Sequence, residues 1–197
     1  MAAYKAKEGV SKGEMRRQII LDAAAQCFAE RGFDATTMRD IAALTGIRPG
    51  SIYYHFESKN ELFLAVHEQA VSQITERVEE AIQPGADPWT RLEQACVGYL
   101  ECLVAKDNYA SVVITEFPRR RSGAMREYLV GHRHRFENIF RTLIDDLPLG
   151  KEVDRKYWRL CLLGTLAWSN VWYKEGSDDV DDIARKFIAL LAERTAR

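Results

Sequence analysis

No run of apolar residues in this chain of 197 approaches the roughly 18 needed to cross a bilayer. A membrane-spanning role is therefore excluded. The opening stretch, Met1-Ala-Ala-Tyr-Lys-Ala-Lys-Glu-Gly9, has no apolar segment behind its lysines, so no secretory signal is expected. Only four cysteines occur (Cys27, Cys96, Cys102 and Cys161), and no pair has C-x-x-C spacing. They read as reduced core residues of a cytoplasmic protein rather than as disulfides or metal ligands. No segment alternates apolar and polar residues with period two, which excludes half-buried strands. Catalytic signatures are missing as well: there is no G-x-S-x-G, phosphate loop, H-E-x-x-H or cofactor fingerprint. His132 and His134 stand two apart, so on a helix they diverge and cannot share a metal. An enzyme is not expected, since catalysis would need residues gathered from distant helices, and neither cofactor nor metal is implied.

What is present describes an ordinary globular chain, 47% apolar and 29% charged, long enough for one domain or two small ones. The net charge of −1 hides an asymmetry. Residues 1–60 hold nine Lys/Arg against seven Asp/Glu, leaving 19 against 22 of the totals of 28 and 29 for the remainder. A mildly basic front on a mildly acidic body hints at a polyanionic partner for the front end.

The apolar spacing is helical throughout, and the five prolines punctuate it. Residues 1–11 form a polar arm. A first helix runs from about Ser11 to Arg31, with Gly32 as its C-terminal cap. A short helix starts at Thr37, where Thr37 and Asp40 have capping-box spacing, and ends at Gly46. Pro49 suits the first turn of a second short helix. Ser58-Lys-Asn-Glu61 reads as another capping box, opening a long helix that ends at Pro84-Gly85. Further helices are expected from Asp87-Pro88 to about Lys106, from Tyr109 to Phe117, from Ser122 to Asp146 and from Val153 to Lys174. Ser177 is expected to cap a last one, with acidic residues massed at its positive end. The fold class is all-α, with about nine helices.

The stretch Gly46-Ile-Arg-Pro-Gly-Ser-Ile-Tyr-Tyr-His-Phe56 suits neither a good core helix nor a good loop. Two short helices joined at a glycine turn, the second carrying exposed polar and aromatic side chains, make a helix-turn-helix. A helix entering the DNA major groove cannot be coated with acids, and none lies between Gly46 and Phe56. Arg48 stands at the N-terminal tip, where a bidentate contact to guanine is made. Gly50 keeps the backbone slim, while Ser51 and Tyr54, one turn apart, share a face. Tyr53, His55 and Lys59 suit the flanking phosphates, and Thr37 does the same on the other side. With Pro49 these form the candidate DNA-binding set; the competing reading is a plain surface, with Tyr53 or His55 in the core.

These residues carry a resemblance. The run Thr36-Thr-Met-Arg-Asp-Ile-Ala-Ala-Leu-Thr-Gly-Ile-Arg-Pro-Gly-Ser-Ile-Tyr-Tyr-His-Phe-Glu-Ser-Lys-Asn-Glu-Leu62 resembles the signature of the TetR family of bacterial transcriptional regulators, and Phe28-Ala-Glu-Arg-Gly-Phe33 matches too. The close likeness covers residues 12–75. Where Arg48 stands the family often has Ser or Thr, so no base preference carries over. The resemblance implies a DNA-binding domain over residues 12–57 and a ligand-binding and dimerisation domain over 58–197. It also implies a homodimer on a palindromic operator, released by a small effector, with repression the usual outcome. The last two helices of each subunit would pair. Tyr157, Cys161, Gly164, Thr165, Trp168 and Trp172 form one stripe, and Ile183, Phe187, Leu190 and Leu191 the other; both could also be core.

In the body, Tyr99, Tyr109, Phe117, Tyr128, Phe136, Phe140, Trp168 and Trp172 could enclose an apolar ligand, though aromatics at helical spacing are also plain core. Glu116 stands within an apolar run. Arg119 to Arg121, with Arg126, His132, Arg133 and Arg135, could clamp phosphates or simply form a solvated face. Trp168-Ser-Asn-Val-Trp-Tyr173 followed by Gly176 is similar to regulators of steroid and fatty-acid catabolism that respond to CoA thioesters. An acyl-CoA is thus the leading effector, followed by another lipophile. The rival reading is a helical small-molecule-binding protein, or an enzyme, that does not bind DNA.

Overall fold

The computed structural model describes residues 11–105, 107–115, 123–176 and 178–192. The expected arm up to residue 10 and the expected cap Ser177 lie outside the described residues, as do the candidate ligand residues Glu116, Phe117 and Arg119. Among the described residues there are nine helices and no strand: α1 (Lys12–Ala35), α2 (Met38–Thr45), α3 (Pro49–His55), α4 (Lys59–Ala81), α5 (Pro88–Val104), α6 (Asn108–Thr115), α7 (Gly123–Asp145), α8 (Arg155–Trp172) and α9 (Val180–Ala192). No helix among them is long and apolar enough to cross a membrane.

The helix ends are set by local chemistry. Ser11 and Glu14 form a reciprocal capping box at α1. Near the other end of α1, Gly32 adopts φ 75°, a left-handed conformation that interrupts the helix before its final residues. The carbonyls freed there are met by buried Thr36, whose hydroxyl donates to Gly32 O at 2.8 Å and Cys27 O at 3.1 Å. Thr37 and Asp40 close the expected box on α2, and Gly46, at φ 67°, ends it. The second expected box is only half made. Ser58 Oγ accepts from Glu61 N–H, but the Glu61 carboxylate takes the N–H of Glu57 instead of that of Ser58. Asp87 caps α5 by accepting from the Trp89 and Thr90 amides.

Two apolar cores result. The first packs α1, α2, α3 and the start of α4 around Phe28, Phe33 and Phe63, joined by Tyr109 and Val112 of α6 and Leu129 of α7. The second unites α5, α7, α8 and α9. Helix α4 serves both: Leu62, Phe63, Val66 and Ala70 enter the first core, and Val78 the second. The first core therefore extends about halfway along α4. Where α4 meets α5 the backbones come close, because a Cβ on Gly98 would stand 3.0 Å from both Ala81 Cβ and Arg77 O.

Two expectations about burial change. Cys27 and Cys96 are core residues, but Cys102 is half-buried and Cys161 is exposed; all four are free. Ile183 is only 2% exposed, packed in the second core rather than on an outer face of α9.

Candidate functional site: an exposed helix and an apolar cavity

Helix α3 is anchored by one buried residue, Ile52, with Phe56 sealing its end. Everything else on it faces outward or sits at its edge. Arg48 is exposed at the N-cap and makes no capping hydrogen bond, so its guanidinium is free to reach outward. Gly50 is exposed, and a Cβ there would meet nothing within 4 Å. Packing within the chain gives no reason for glycine at that position. Tyr54 is 87% exposed, an unusual state for a large aromatic, and Tyr53 is half-exposed; neither is core. His55 packs edge-on to Tyr54 with ring centroids 5.4 Å apart, and Ser51 is half-buried. Arg48, Pro49, Gly50, Tyr53 and Tyr54 thus share one exposed surface.

Two expected phosphate contacts are differently engaged. The Lys59 ammonium donates to Phe33 O at 2.8 Å and Thr36 O at 2.9 Å, and lies 4.3 Å from the Phe33 ring centre. It ties the first turn of α4 to the end of α1. The Thr37 hydroxyl donates to Asp40 Oδ2 at 2.6 Å, which uses its only hydrogen. The exposed group at that corner with donors to offer is Arg39, on the positive end of α2.

Above this layer lies an apolar cavity of about 520 Å³. Its walls are His67, Val71 and Ile74 of α4, Tyr99 of α5, Val113 and Ile114 of α6, Leu129, Arg133, Phe136 and Glu137 of α7, and Leu160, Leu163, Gly164 and Ala167 of α8. Of the described aromatic residues expected to line a pocket, Tyr99 and Phe136 do so; burial pushes the Tyr99 hydroxyl up to about 12. Tyr109 is buried elsewhere, with its hydroxyl donating to Asp22 Oδ1 at 2.7 Å and accepting from Gln18 Nε2 at 3.2 Å, both on α1. Tyr128 stacks on His132 at 4.1 Å between centroids, and Arg126 is exposed. Trp168, 62% exposed, and Trp172 lie on the outer face of α8.

His67 is the wall residue that sequence reasoning missed. Its signal was a histidine inside the apolar stripe Leu62, Val66, Ala70 and Ile74. Burial pushes its pKa down to about 4, helped by neighbouring His132, so the ring is neutral at pH 7. His132 is lowered by its own burial and then by Arg135, whose guanidinium lies 2.6 Å from its Nε2. Its ring is 5% exposed, held between Tyr128 and Arg135 rather than on the basic surface where a phosphate contact was expected. Arginines do gather beside the cavity: a polar cleft of about 560 Å³ is lined by His134, Arg135, Asn138, Arg141 and Arg159, and shares Glu137 with the apolar wall.

An exposed, acid-free helix in a helix-turn-helix, beneath an internal cavity, defines a ligand-responsive DNA-binding regulator of transcription. Known proteins agree. Residues 20–66 match the model of bacterial regulatory proteins of the tetR family, and residues 85–194 match that of the tetracyclin repressor-like C-terminal domain. The chain belongs to the TetR family. It is 28% identical to the transcriptional repressor KstR2 of Rhodococcus jostii over 187 residues, covering 92% of this chain and 91% of that protein. It is 25% identical over 152 residues to the fatty acid metabolism regulator protein of Bacillus subtilis, covering 75% and 77%. Among solved structures, AibR in complex with isovaleryl coenzyme A and operator DNA shares the fold, with TM-score 0.78 at 21% identity over 89% of this chain and 97% of that one.

Proposed function

We propose that this protein binds an inverted-repeat operator as a homodimer, represses from it in the cytoplasm, and releases it when a lipophilic effector, foremost an acyl-CoA, fills the cavity. One observation carries this reading. The two helices that hold α1 also form the cavity wall. On α6, Val113 and Ile114 face the cavity one turn after Tyr109, whose hydroxyl grips Asp22 of α1. On α4, His67, Val71 and Ile74 face it two to four turns after Lys59, which grips the carbonyls at the end of α1. A ligand that binds better when these walls move apart shifts α1, and with it α3, away from the DNA-binding arrangement.

The acyl-CoA reading rests on the pairing of an apolar cavity with an arginine cleft. The acyl group suits the cavity, while Arg135, Arg141 and Arg159 offer forked donors to the phosphates. The repressor and fatty-acid regulator relatives, and AibR with its bound thioester, support the same choice. In the operator complex, Arg48, Gly50, Ser51 and Tyr54 face base edges, and Tyr53, His55 and Arg39 the phosphates. The dimer face is the outer surface of α8 and α9, where Tyr157, Trp168, Val171 and Leu190 are each more than 60% exposed.

The test is a titration of a fluorescent operator duplex, selected from random sequence by the purified protein. Dodecanoyl-CoA should lower operator affinity by about tenfold or more, a coupling of about 1.4 kcal/mol. Dodecanoic acid, without the phosphates, should act more weakly. Equal potency, or no release by either, would overturn the acyl-CoA assignment and leave DNA binding intact.

A further inference from the structure

His67 stands in an apolar wall with something left undone. Its ring is 5% exposed, it lines the cavity, and its buried Nδ1 has no hydrogen-bond partner. Buried polar atoms are nearly always paired, and because His67 lines the cavity, a turn of its ring would carry this orphan to where a ligand can pair it. Around it the walls are hydrocarbon: Val71, Ile74, Val113, Ile114 and Leu129. Hydrocarbon in the cavity would leave that nitrogen unmet.

His132 repeats the situation one step behind. A guanidinium only donates, so His132 Nε2 accepts from Arg135 and the neutral ring carries its hydrogen on Nδ1. That Nδ1 is also buried without a partner, and the two histidine rings lie 5.9 Å apart. Position then gives direction. His67 neighbours Phe63, and Leu129 belongs to the first core, so this is the end of the cavity toward the DNA-binding helices. Glu137, shared with the arginine cleft, marks the opposite end.

We infer that His67 anchors an oxygen on the effector, so that the natural ligand is an acyl thioester whose acyl group bears a hydroxyl or carbonyl at the end away from the thioester. The orientation rests on the acyl-CoA reading above, because phosphates held in the cleft point the acyl terminus at His67. A neutral ring suits a neutral oxygen better than a carboxylate.

Calorimetric titration of the full-length protein tests this with two matched pairs of probes. One pair is dodecanoyl-CoA and ω-hydroxydodecanoyl-CoA; the other is the two corresponding free acids. The hydroxylated member of a pair should bind at least about tenfold more tightly, because a site built around a polar atom discriminates strongly against an analogue that leaves it unpaired. His67→Leu should abolish or invert that preference, and His67→Asn, which keeps a polar atom near the Nδ1 position, should retain part of it. Thermal melts establish that both variants fold. A preference confined to the free acids, and lost in His67→Leu, would keep the anchor and remove the CoA. If neither pair shows a hydroxyl preference that His67→Leu removes, whether or not the probes bind, the inference is overturned.

Discussion

A phosphate oxygen accepts hydrogen bonds and donates none, so a side chain that spends its hydrogens inside the protein has little to give DNA. Lys59 is such a residue. Its position next to the short helices made a phosphate contact reasonable, yet its ammonium is held by the Phe33 and Thr36 carbonyls. Lys59→Met, which keeps the stem and removes the charge, should therefore destabilise the fold by about 1–3 kcal/mol, measured by urea denaturation. A variant of unchanged stability that binds all DNA sequences more weakly would restore the phosphate role. Gly50 behaves in the opposite way. Nothing lies within 4 Å of a Cβ placed on it, so Gly50→Ala should leave stability unchanged or raise it by up to about 1 kcal/mol. Operator binding should nonetheless fall, since the added methyl projects from the surface proposed to approach the groove. Undiminished operator affinity would place α3 farther from the DNA.

At the scale of elements, helices and their ends were legible because capping and periodicity are local. Thr37 with Asp40, Gly46, Pro49 and Asp87 all act where their spacing put them. The exposed surface of α3 was legible for the same reason: Arg48, Gly50 and Tyr54 are exposed by the local geometry of α3. The cavity was not. Periodicity says which face of a helix turns inward, but whether that face meets another side chain or a void is decided by how helices far apart in sequence cross. Tyr109 shows the difference. It is buried as its apolar setting implied, yet its partner is Asp22 on α1, 87 residues away, rather than a ligand. That bond makes α6 a second link between cavity and DNA-binding helices. Tyr109→Phe cuts it while leaving Gln18 bonded to Asp22. Effector should still bind the variant by calorimetry, but the ratio of operator affinities without and with effector should shrink several-fold from the about tenfold expected of the native protein. An unchanged ratio would assign the coupling to α4 alone.

For the whole molecule, the proposed dimer puts the outer surface of α8 and α9 to the test. Trp168 at 62% and Leu190 at 63% exposure are large apolar groups on adjoining helices. Trp168→Asp should give monomers in sedimentation velocity and lose tight operator binding, because one protomer reaches only one half-site, about 34–36 Å from the next. A fully active dimer would move the interface elsewhere. The central claim, that occupancy of the cavity sets DNA affinity, is tested most directly by filling the cavity with the protein's own atoms. Ala167 lines it from α8, and Ala167→Phe places a ring in the effector's space. Operator affinity should be measured for the native protein and this variant across a dodecanoyl-CoA titration. The native complex should weaken by about tenfold or more, whereas the variant, still binding the operator, should not respond. Equal release from both proteins would contradict the account.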